Sequence, residues 1–301
     1  MPELPEVETT VRDLQKKILG QKIQAVWSDF KKQVKKPKNF EQFKKEIKGR
    51  KIEKVRRRGK NILFDLSGNK TLLIHQKLTG HLLVGYWVLD NGYWKPKVKG
   101  PLEEKVNTYI HLLFTFDNDQ MLALSDLRKF AKVELWNTEE LEKSEEMKSL
   151  GPEPLEKDFT FGKFKEILTK KKAAEGEPHQ RRGKIKQVLM NQTVIAGIGN
   201  IYSDEILWSA KIHPFKDVSK LNRDELKRIF QAIKNIFKRA IQLKGTSISD
   251  FRRTSGQKGY YERERKVYRR EGERCPCCGK KIKRTKLAGR SAHFCPKCQK
   301  L

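Results

Sequence analysis

Two pairs of closely spaced cysteines constrain the fold of this chain more than any other feature. Cys275 and Cys278 are separated by two residues, as are Cys295 and Cys298, and 16 residues lie between the two pairs. Each pair can present two thiolates from a tight turn, and four thiolates complete the tetrahedral coordination of a structural Zn²⁺. The spacing therefore predicts one structural zinc ion, whose binding is coupled to the folding of residues 266–301 because so short a segment cannot bury a core.

The fifth cysteine and a nearby histidine are not needed for this site. Cys277 lies inside the first pair and His293 could compete as a ligand, but we expect both to be bystanders of a site closed by four thiolates. All the cysteines lie between positions 275 and 298, which favours metal binding over disulfides. Gly279 follows the first pair, where such a turn commonly needs a positive φ.

The chain also carries a large positive charge. Its 301 residues include 67 Lys and Arg against 37 Asp and Glu, a net charge of +30. A field of this sign attracts polyanions, so nucleic acid is the expected partner, although general lysine enrichment is an alternative source of much of the excess. Arg290 lies between the cysteine pairs and is expected near the tip of a hairpin, where it either faces phosphate or is one more solvated arginine.

The sequence contains no sign of a membrane segment. No run of 18 apolar residues is present, and the opening MPELPEVETT is acidic and lacks the apolar stretch of a signal peptide. We therefore expect a cytoplasmic protein with no membrane partner.

The hydrophobic pattern changes at residues 151–154, Gly-Pro-Glu-Pro. Before this point it predicts one amphipathic helix, Glu6–Leu19, and then short strands, among them Lys60–Leu66, Thr71–His75, Tyr109–Phe116 and Met121–Leu124. After it the pattern predicts helices at about 159–170, 182–191, 200–210 and 222–243. A polar insertion at 170–184 is expected to be a mobile, solvated loop.

These patterns predict an α+β multidomain protein. Its parts are an antiparallel β-sandwich with an N-terminal helix at residues 1–137, a linker at 138–158, a helical domain at 159–262 and a β-hairpin zinc finger at 263–301.

The N-terminus offers a candidate nucleophile. Removal of Met1 would expose the secondary amine of Pro2, and an α-amine titrates near ~8, about two units below a lysine side chain. More of it is therefore neutral at physiological pH and able to form a Schiff base with C1′ of a deoxyribose. Glu3 and Glu6 could relay protons for ring opening and elimination. The alternative is an ordinary acidic helix N-terminus, which the helix dipole favours.

Together these motifs resemble the formamidopyrimidine-DNA glycosylase / endonuclease VIII family over nearly the whole chain. MPELPEVET at 1–9 is similar to the start of the formamidopyrimidine branch. RRRGKNILFDL at 56–66 resembles the strand that carries the active-site lysine of the family, which places that role on Lys60. Residues 187–214 resemble its helix–two-turn–helix DNA-binding motif, and the end of the finger, RSAHFCPKCQ, matches its C-terminus.

The resemblance implies a bifunctional enzyme that flips an oxidised purine, such as 8-oxoguanine or a formamidopyrimidine, out of double-stranded DNA. Pro2 would displace the base at C1′ and Glu3 would protonate the ring oxygen of the sugar. The resulting Schiff base would permit β- and δ-elimination of both phosphates. Lys60 and Arg290 would hold phosphates beside the lesion. An enzyme that scans DNA in this way would be associated with the nucleoid through DNA and is most simply a monomer.

Further DNA-binding residues are also implied by the resemblance. Asn200 follows the Gly-rich turn of the helix–two-turn–helix motif and would bind phosphate, and Lys186 would assist. The family fills the gap left by the flipped nucleotide with inserted side chains, here Leu78, Arg128 and Phe130. Without the family, Leu78 and Phe130 would be assigned to the core.

Three positions depart from the typical loops of the family. HQKLTG replaces HLGMSG and DLRKFA replaces DPRRFG, so Lys77, Leu127 and Ala131 stand where Gly, Pro and Gly are typical. We expect these changes to alter the insertion depth and the preference for the opposite base rather than the reaction. Residues 245–261 correspond to the loop that covers the base, hereafter the base-covering loop, which is rich in Gly, Ser and Thr and suited to closing as a lid.

Two other functions stay open. One is a pyrimidine-preferring enzyme like endonuclease VIII, against which Leu4 and the base-covering loop argue, because that branch typically has Gly at position 4. The other is a DNA-binding protein without catalysis. Pro2, Glu3 and Lys60 argue against a pure binder, which needs none of the three together.

Overall fold

The computed structural model describes residues 1–171 and 179–301, which form two compact units. The first unit comprises Met1–Lys148 and Ile241–Glu262, and the second comprises Ser149–Ala240 and Arg263–Leu301. The first unit is therefore discontinuous in sequence and includes the base-covering loop. Residues 172–178 lie outside the described residues, so the mobile loop expected at 170–184 stays a prediction.

Two β-sheets form the first unit. Its strands are β1 (Ile23–Trp27), β2 (Val34–Lys36), β3 (Ile52–Arg58), β4 (Asn61–Leu66), β5 (Lys70–His75), β6 (His81–Gly85), β7 (Trp87–Asp90), β8 (Tyr93–Pro96), β9 (Ile110–Phe116), β10 (Met121–Ser125) and β11 (Lys132–Asn137). Four strands pair in the order β1-β9-β10-β6 and five in the order β2-β11-β5-β4-β3, while β7 and β8 form a separate hairpin. The predicted antiparallel sandwich is confirmed, with β2 and β11 as its one parallel pair among the described strands.

The two sheets share one apolar core with the N-terminal helix. The helices of this unit are α1 (Leu4–Lys17), α2 (Phe40–Ile47), α3 (Thr138–Lys143) and α4 (Glu145–Lys148). Helix α1 buries Val7, Val11 and Leu14 at helical spacing, in the cluster that also contains Phe64 of β4 and Phe114 of β9. Because this stripe packs on the sandwich, the start of α1 is held in a fixed position in the first unit.

The second unit is helical and ends in the finger hairpin. Its elements are α5 (Phe161–Thr169), β12 (Lys170–Lys171), β13 (His179–Gln180), α6 (Ile185–Met190), α7 (Asn200–Ser209), most of α8 (Arg223–Gln242), β14 (Lys283–Leu287) and β15 (Arg290–Phe294). The predicted helical domain and β-hairpin finger are thus confirmed. Among the described residues, no helix combines the length and the apolar character needed to cross a membrane.

Candidate active site

The chain begins with a capping box that holds Pro2 and Glu3 inside the first unit. Glu3 has an extended backbone before α1, its N–H donates to Oε2 of Glu6 at 2.9 Å, and the two residues satisfy one another's backbone N–H groups. Pro5 occupies the first helical turn, where its missing N–H costs nothing. Pro2, Glu3 and Glu6 are all buried, so an N-terminal nucleophile here would act away from bulk water.

Glu6 also joins the helix to the start of the base-covering loop. Its Oε1 accepts the backbone N–H of Thr246 at 2.7 Å. Gly245 has a φ of +78°, and a Cβ there would come within 3.0 Å of the Glu6 side chain. Only glycine fits so close an approach with this backbone conformation. One carboxylate therefore fixes both the N-terminus and the loop.

Charged groups of both signs surround the N-terminus. Burial lowers the pKa of the Met1 ammonium group below its ordinary value of 8.0, and the positive charge of Lys60 adds to that shift. The carboxylates of Glu3, Glu6 and Asp250 oppose it. Asp250 belongs to the base-covering loop, and no sequence spacing relates it to the N-terminus, so sequence reasoning missed this third acid.

Lys60 reaches this cluster from a turn between β3 and β4. Gly59 takes a left-handed φ of +58°, which lets the turn close directly before Lys60. The Lys60 side chain is buried, with 7% of its surface exposed. The structure thus brings together the N-terminus, Glu3 and Lys60, as the resemblance implies.

The three predicted wedge residues lie on two turns of the same unit. Leu78 is half-buried, whereas Phe130 is 51% exposed, and the guanidinium of Arg128 lies 4.7 Å from the centre of the Phe130 ring. The buried carboxylate of Asp126 organises the second turn by accepting N–H groups of Arg128 and Ala131 at 3.3 and 2.7 Å. A core role, the alternative for Phe130, does not fit its exposure.

A cavity of about 410 Å³ connects these features within the first unit. Its lining residues are Met1, Lys35, Lys77, Leu78, Lys129, Phe130 and Ala131. Met1 and the wedge residues Leu78 and Phe130 therefore share one concave surface, large enough to receive part of a nucleotide.

Predicted phosphate-binding residues of the second unit also cluster. Arg290 is exposed and opens β15, next to the turn of the finger hairpin, and the next residue, Ser291, receives two contacts. The Asn200 amide donates to Ser291 Oγ at 3.4 Å, and the Lys186 ammonium donates to the Ser291 carbonyl at 2.8 Å. Lys186 is itself 1% exposed and bonded to Asp204 at 2.5 Å. The structure therefore places Lys186 as a support of the hairpin.

Helix α7 carries two buried acids that sequence reasoning missed. Asp204 accepts both the backbone N–H and Nδ1 of His293, at 3.0 and 2.9 Å, which occupies that histidine away from the cysteines. Glu205 accepts three consecutive backbone N–H groups, those of Lys266, Val267 and Tyr268. Burial, the largest effect, raises the pKa of Glu205 despite these three bonds. Both acids tie the finger segment to α7.

The four predicted zinc ligands come together. The Sγ atoms of Cys275, Cys278, Cys295 and Cys298 all lie within 4.8 Å of one another. The Cys275–Cys298 and Cys278–Cys295 sulfurs are 3.9 and 3.4 Å apart, close to the roughly 3.8 Å that a tetrahedral ion with ~2.3 Å Zn–S bonds requires. Gly279 has a φ of +74°, as its position predicts, and Cys277 is exposed outside the cluster.

Comparison with known families and structures matches all three parts of the chain. Residues 1–133 match the formamidopyrimidine-DNA glycosylase N-terminal domain, 150–252 the H2TH domain of the same enzymes, and 272–301 the zinc finger found in FPG and IleRS. The finger match and the cysteine geometry establish one structural zinc site.

Individual relatives are similar over their full lengths. Formamidopyrimidine-DNA glycosylases of Pelotomaculum thermopropionicum and Lactococcus lactis are 39% and 37% identical, with 100% and 99% of each chain covered. Two solved structures of the Lactococcus lactis enzyme are also similar. A point mutant in complex with Fapy-dG-containing DNA has a TM-score of 0.84 at 36% identity, covering 100% of both chains. The complex with DNA containing an abasic site has a TM-score of 0.82 at 36% identity, covering 99% of this chain and 100% of the other.

Proposed function

Because the chain belongs to the formamidopyrimidine-DNA glycosylase family, whose members are DNA glycosylases and AP lyases, we propose that it removes oxidised purines from double-stranded DNA and then cleaves the strand. The observation that carries the proposal is the buried cluster at the N-terminus, where Glu3 and Lys60 flank the first residues of the chain. The Lactococcus lactis relatives were solved with Fapy-dG and with abasic DNA, which favours the same substrate class here.

The first chemical step uses the amine of Pro2 after removal of Met1. The nitrogen lone pair forms a bond to C1′, the damaged base leaves with the electron pair of the glycosidic bond, and Glu3 donates a proton to the ring oxygen as the sugar opens. The proline nitrogen loses its proton, and its lone pair forms a C=N⁺ bond to C1′ as the bond between C1′ and the ring oxygen breaks. The resulting iminium ion (the charged Schiff base of a secondary amine) acidifies the C2′ protons and allows β- and then δ-elimination. Glu6, predicted as a supporting proton carrier, holds Glu3 in place.

The environment of the N-terminus favours this nucleophile. Burial lowers the pKa of the Met1 ammonium group, and the Pro2 amine would begin at the adjacent position in the same cluster. A lower pKa leaves more of the amine neutral at pH 7, and only the neutral amine attacks carbon.

The remaining predicted residues bind DNA. Lys60, Arg290 and Asn200 contact phosphates, and the wedge residues Leu78 and Phe130 fill the space of the extruded nucleotide beside Arg128. Lys186 supports DNA binding indirectly, because its ammonium group holds the finger hairpin in place. Zinc holds the finger folded and takes no part in the chemistry.

Borohydride trapping tests the proposal directly. The protein is incubated with a duplex that contains one 8-oxoguanine opposite cytosine, borohydride is added, and covalent protein–DNA complex is measured, with Pro2→Gly and an undamaged duplex as controls. We expect a complex that requires both the lesion and Pro2. A complex only with an oxidised pyrimidine would indicate the endonuclease VIII preference. No complex with any lesion or abasic site would leave a DNA-binding protein.

Intact mass provides an independent check of the nucleophile. The purified protein should lack Met1, because an amide nitrogen at Pro2 could not form the imine. A protein that retains Met1 and still forms the trapped complex would exclude Pro2 as the nucleophile.

A further inference from the structure

Lysine replaces glycine on one of the turns that line the cavity at the N-terminus. Lys77 has a left-handed backbone, with a φ of +52°, and Lys129 on the neighbouring turn has a φ of +57°. This region is disfavoured for side chains that carry a Cβ and is populated mainly by glycine and asparagine. Glycine, which is typical of the family at position 77, would adopt this turn without strain, so the lysine side chain is not required by the turn.

A specific hydrogen bond maintains the Lys77 turn. The backbone N–H of Lys77 donates to Nδ1 of His75 at 3.0 Å. Burial, assisted by the charges of Lys77, Lys60 and Lys132, lowers the pKa of His75 to about 3. The imidazole is therefore neutral at physiological pH and can accept this bond, which fixes where the Lys77 side chain starts.

The charge of the cavity wall has one sign. Lys35, Lys77 and Lys129 line the cavity, and no acidic residue is among the lining residues. Strained residues that persist in a fold occur most often at functional sites, where the surrounding structure maintains them. Other lysines of the chain, such as Lys211 and Lys244, also have a left-handed backbone, so it is the three lysines on one wall that indicate an anionic ligand.

We propose that Lys77 is a phosphate-binding residue that contacts the DNA backbone beside the extruded nucleotide, with Lys35 and Lys129 completing the cationic wall. The inference rests on the proposed function, since a DNA substrate brings phosphate to a cavity that Met1 and the wedge residues Leu78 and Phe130 also line. Lys77 thus adds a charged contact next to Leu78, whose proposed role is to fill the space left by the extruded nucleotide. It acts in binding and not in the bond-breaking steps.

The test is the salt dependence of binding to a duplex with a tetrahydrofuran abasic analogue opposite cytosine. Each phosphate contact contributes about 0.9 to the slope of log K against log salt concentration. Lys77→Gln keeps the backbone strain and removes the charge, so we expect the slope to fall by about 0.9 and affinity at ~0.1 M salt to fall roughly 3- to 10-fold. Lys45→Gln, on the surface of α2 in the same unit, is the matched control and should leave the slope unchanged.

A second variant separates charge from folding. Lys77→Gly removes both the charge and the strain, and should bind as weakly as Lys77→Gln with a Tm no lower than that of the original protein. The proposal is wrong if Lys77→Gln has the slope of Lys45→Gln, or if Lys77→Gly restores binding. Equilibrium binding is measured without turnover, so absence of a borohydride-trapped complex would contradict the proposed function alone.

Discussion

Individual buried ionic groups in this protein are matched by defined partners. Glu6 accepts two backbone N–H groups, Glu205 accepts three, and Lys186 is paired with Asp204. A buried ion pair adds little net stability, but removing one partner leaves the other buried without its counter-charge or hydrogen bond, which is strongly destabilising. The largest single-residue effects are therefore expected at these positions.

The Lys186–Asp204 pair gives a direct prediction. The two side chains are 1% and 0% exposed, so Lys186→Met should lower the free energy of unfolding by about 3–5 kcal/mol, because it leaves a buried carboxylate without its cation. Denaturant unfolding of the zinc-loaded protein measures the change. Lys211→Met, at an exposed position of the same unit, should change it by less than about 0.5 kcal/mol. Equal stability of the two variants would contradict this account of the pair.

His75 makes stability depend on pH. Its folded-state pKa of about 3 is below its ordinary value of 6.5, so below pH 6.5 the unfolded chain binds a proton that the folded protein does not. The free energy of unfolding should fall by about 1 kcal/mol per pH unit from pH 6.5 to about 4.5 through this residue.

His75→Asn isolates that contribution. Asparagine retains an oxygen that can accept the Lys77 N–H but does not titrate. We expect its unfolding free energy to fall less steeply than that of the original protein over this pH window, as measured by chemical denaturation. If the unfolding free energies of the two proteins fall in parallel with pH, His75 is protonated as easily in the folded state as in the unfolded chain.

At the scale of elements, the base-covering loop is held against the first unit along its length. Ser247 Oγ accepts the N–H of Gly259 across the loop, the Asn107 amide donates to the Gly256 carbonyl, and Arg252 forms an ion pair with Glu104. The whole loop can open only if each of these contacts breaks. Any loop motion in the proposed reaction is therefore expected in the parts of the loop that do not make these contacts.

Loss of the Glu6 anchor should loosen the loop at its start. Glu6→Gln replaces a charged acceptor of two N–H groups with a neutral amide. This should weaken the contribution of these hydrogen bonds to stability by about 2 kcal/mol. Hydrogen exchange should become faster at Thr246 and its neighbours while exchange in the strands of the sandwich stays the same. The control is Glu53→Gln, at an exposed position of β3. Unchanged exchange at Thr246 would show that the loop is held by its other contacts.

Elements with local sequence signals were predictable, and contacts between distant residues were not. The periodicity predicted β4, β5, β9 and β10 to within two residues and located the helices α5, α6, α7 and α8 of the second part of the chain. The β7–β8 hairpin was missed although Asn91 and Gly92 form a turn with positive φ at both residues, a strong hairpin signal. The approach of Asp250 to the N-terminus depends on the tertiary path of the loop, which no local pattern encodes.

At the scale of the whole molecule, two units with separate cores should respond separately to loss of zinc. Residues 263–301 depend on the metal because their apolar cluster is small and includes the ligands Cys275 and Cys295. Chelation should abolish hydrogen-exchange protection in the finger while β9 and β10 stay protected, and added Zn²⁺ should restore it. Retained protection in the metal-free finger would contradict coupled folding.

The order in which the chain is made has a consequence for when the first unit is complete. The contact between Glu6 and Thr246 joins residues 240 positions apart, and Ile241–Glu262 must be synthesised before the sandwich acquires the loop that anchors its N-terminus. The second unit begins to emerge from the ribosome while the first still lacks this segment. A nascent chain therefore carries Pro2, the proposed nucleophile, long before it carries the base-covering loop, so the proposed site is incomplete until residue 262 has been synthesised.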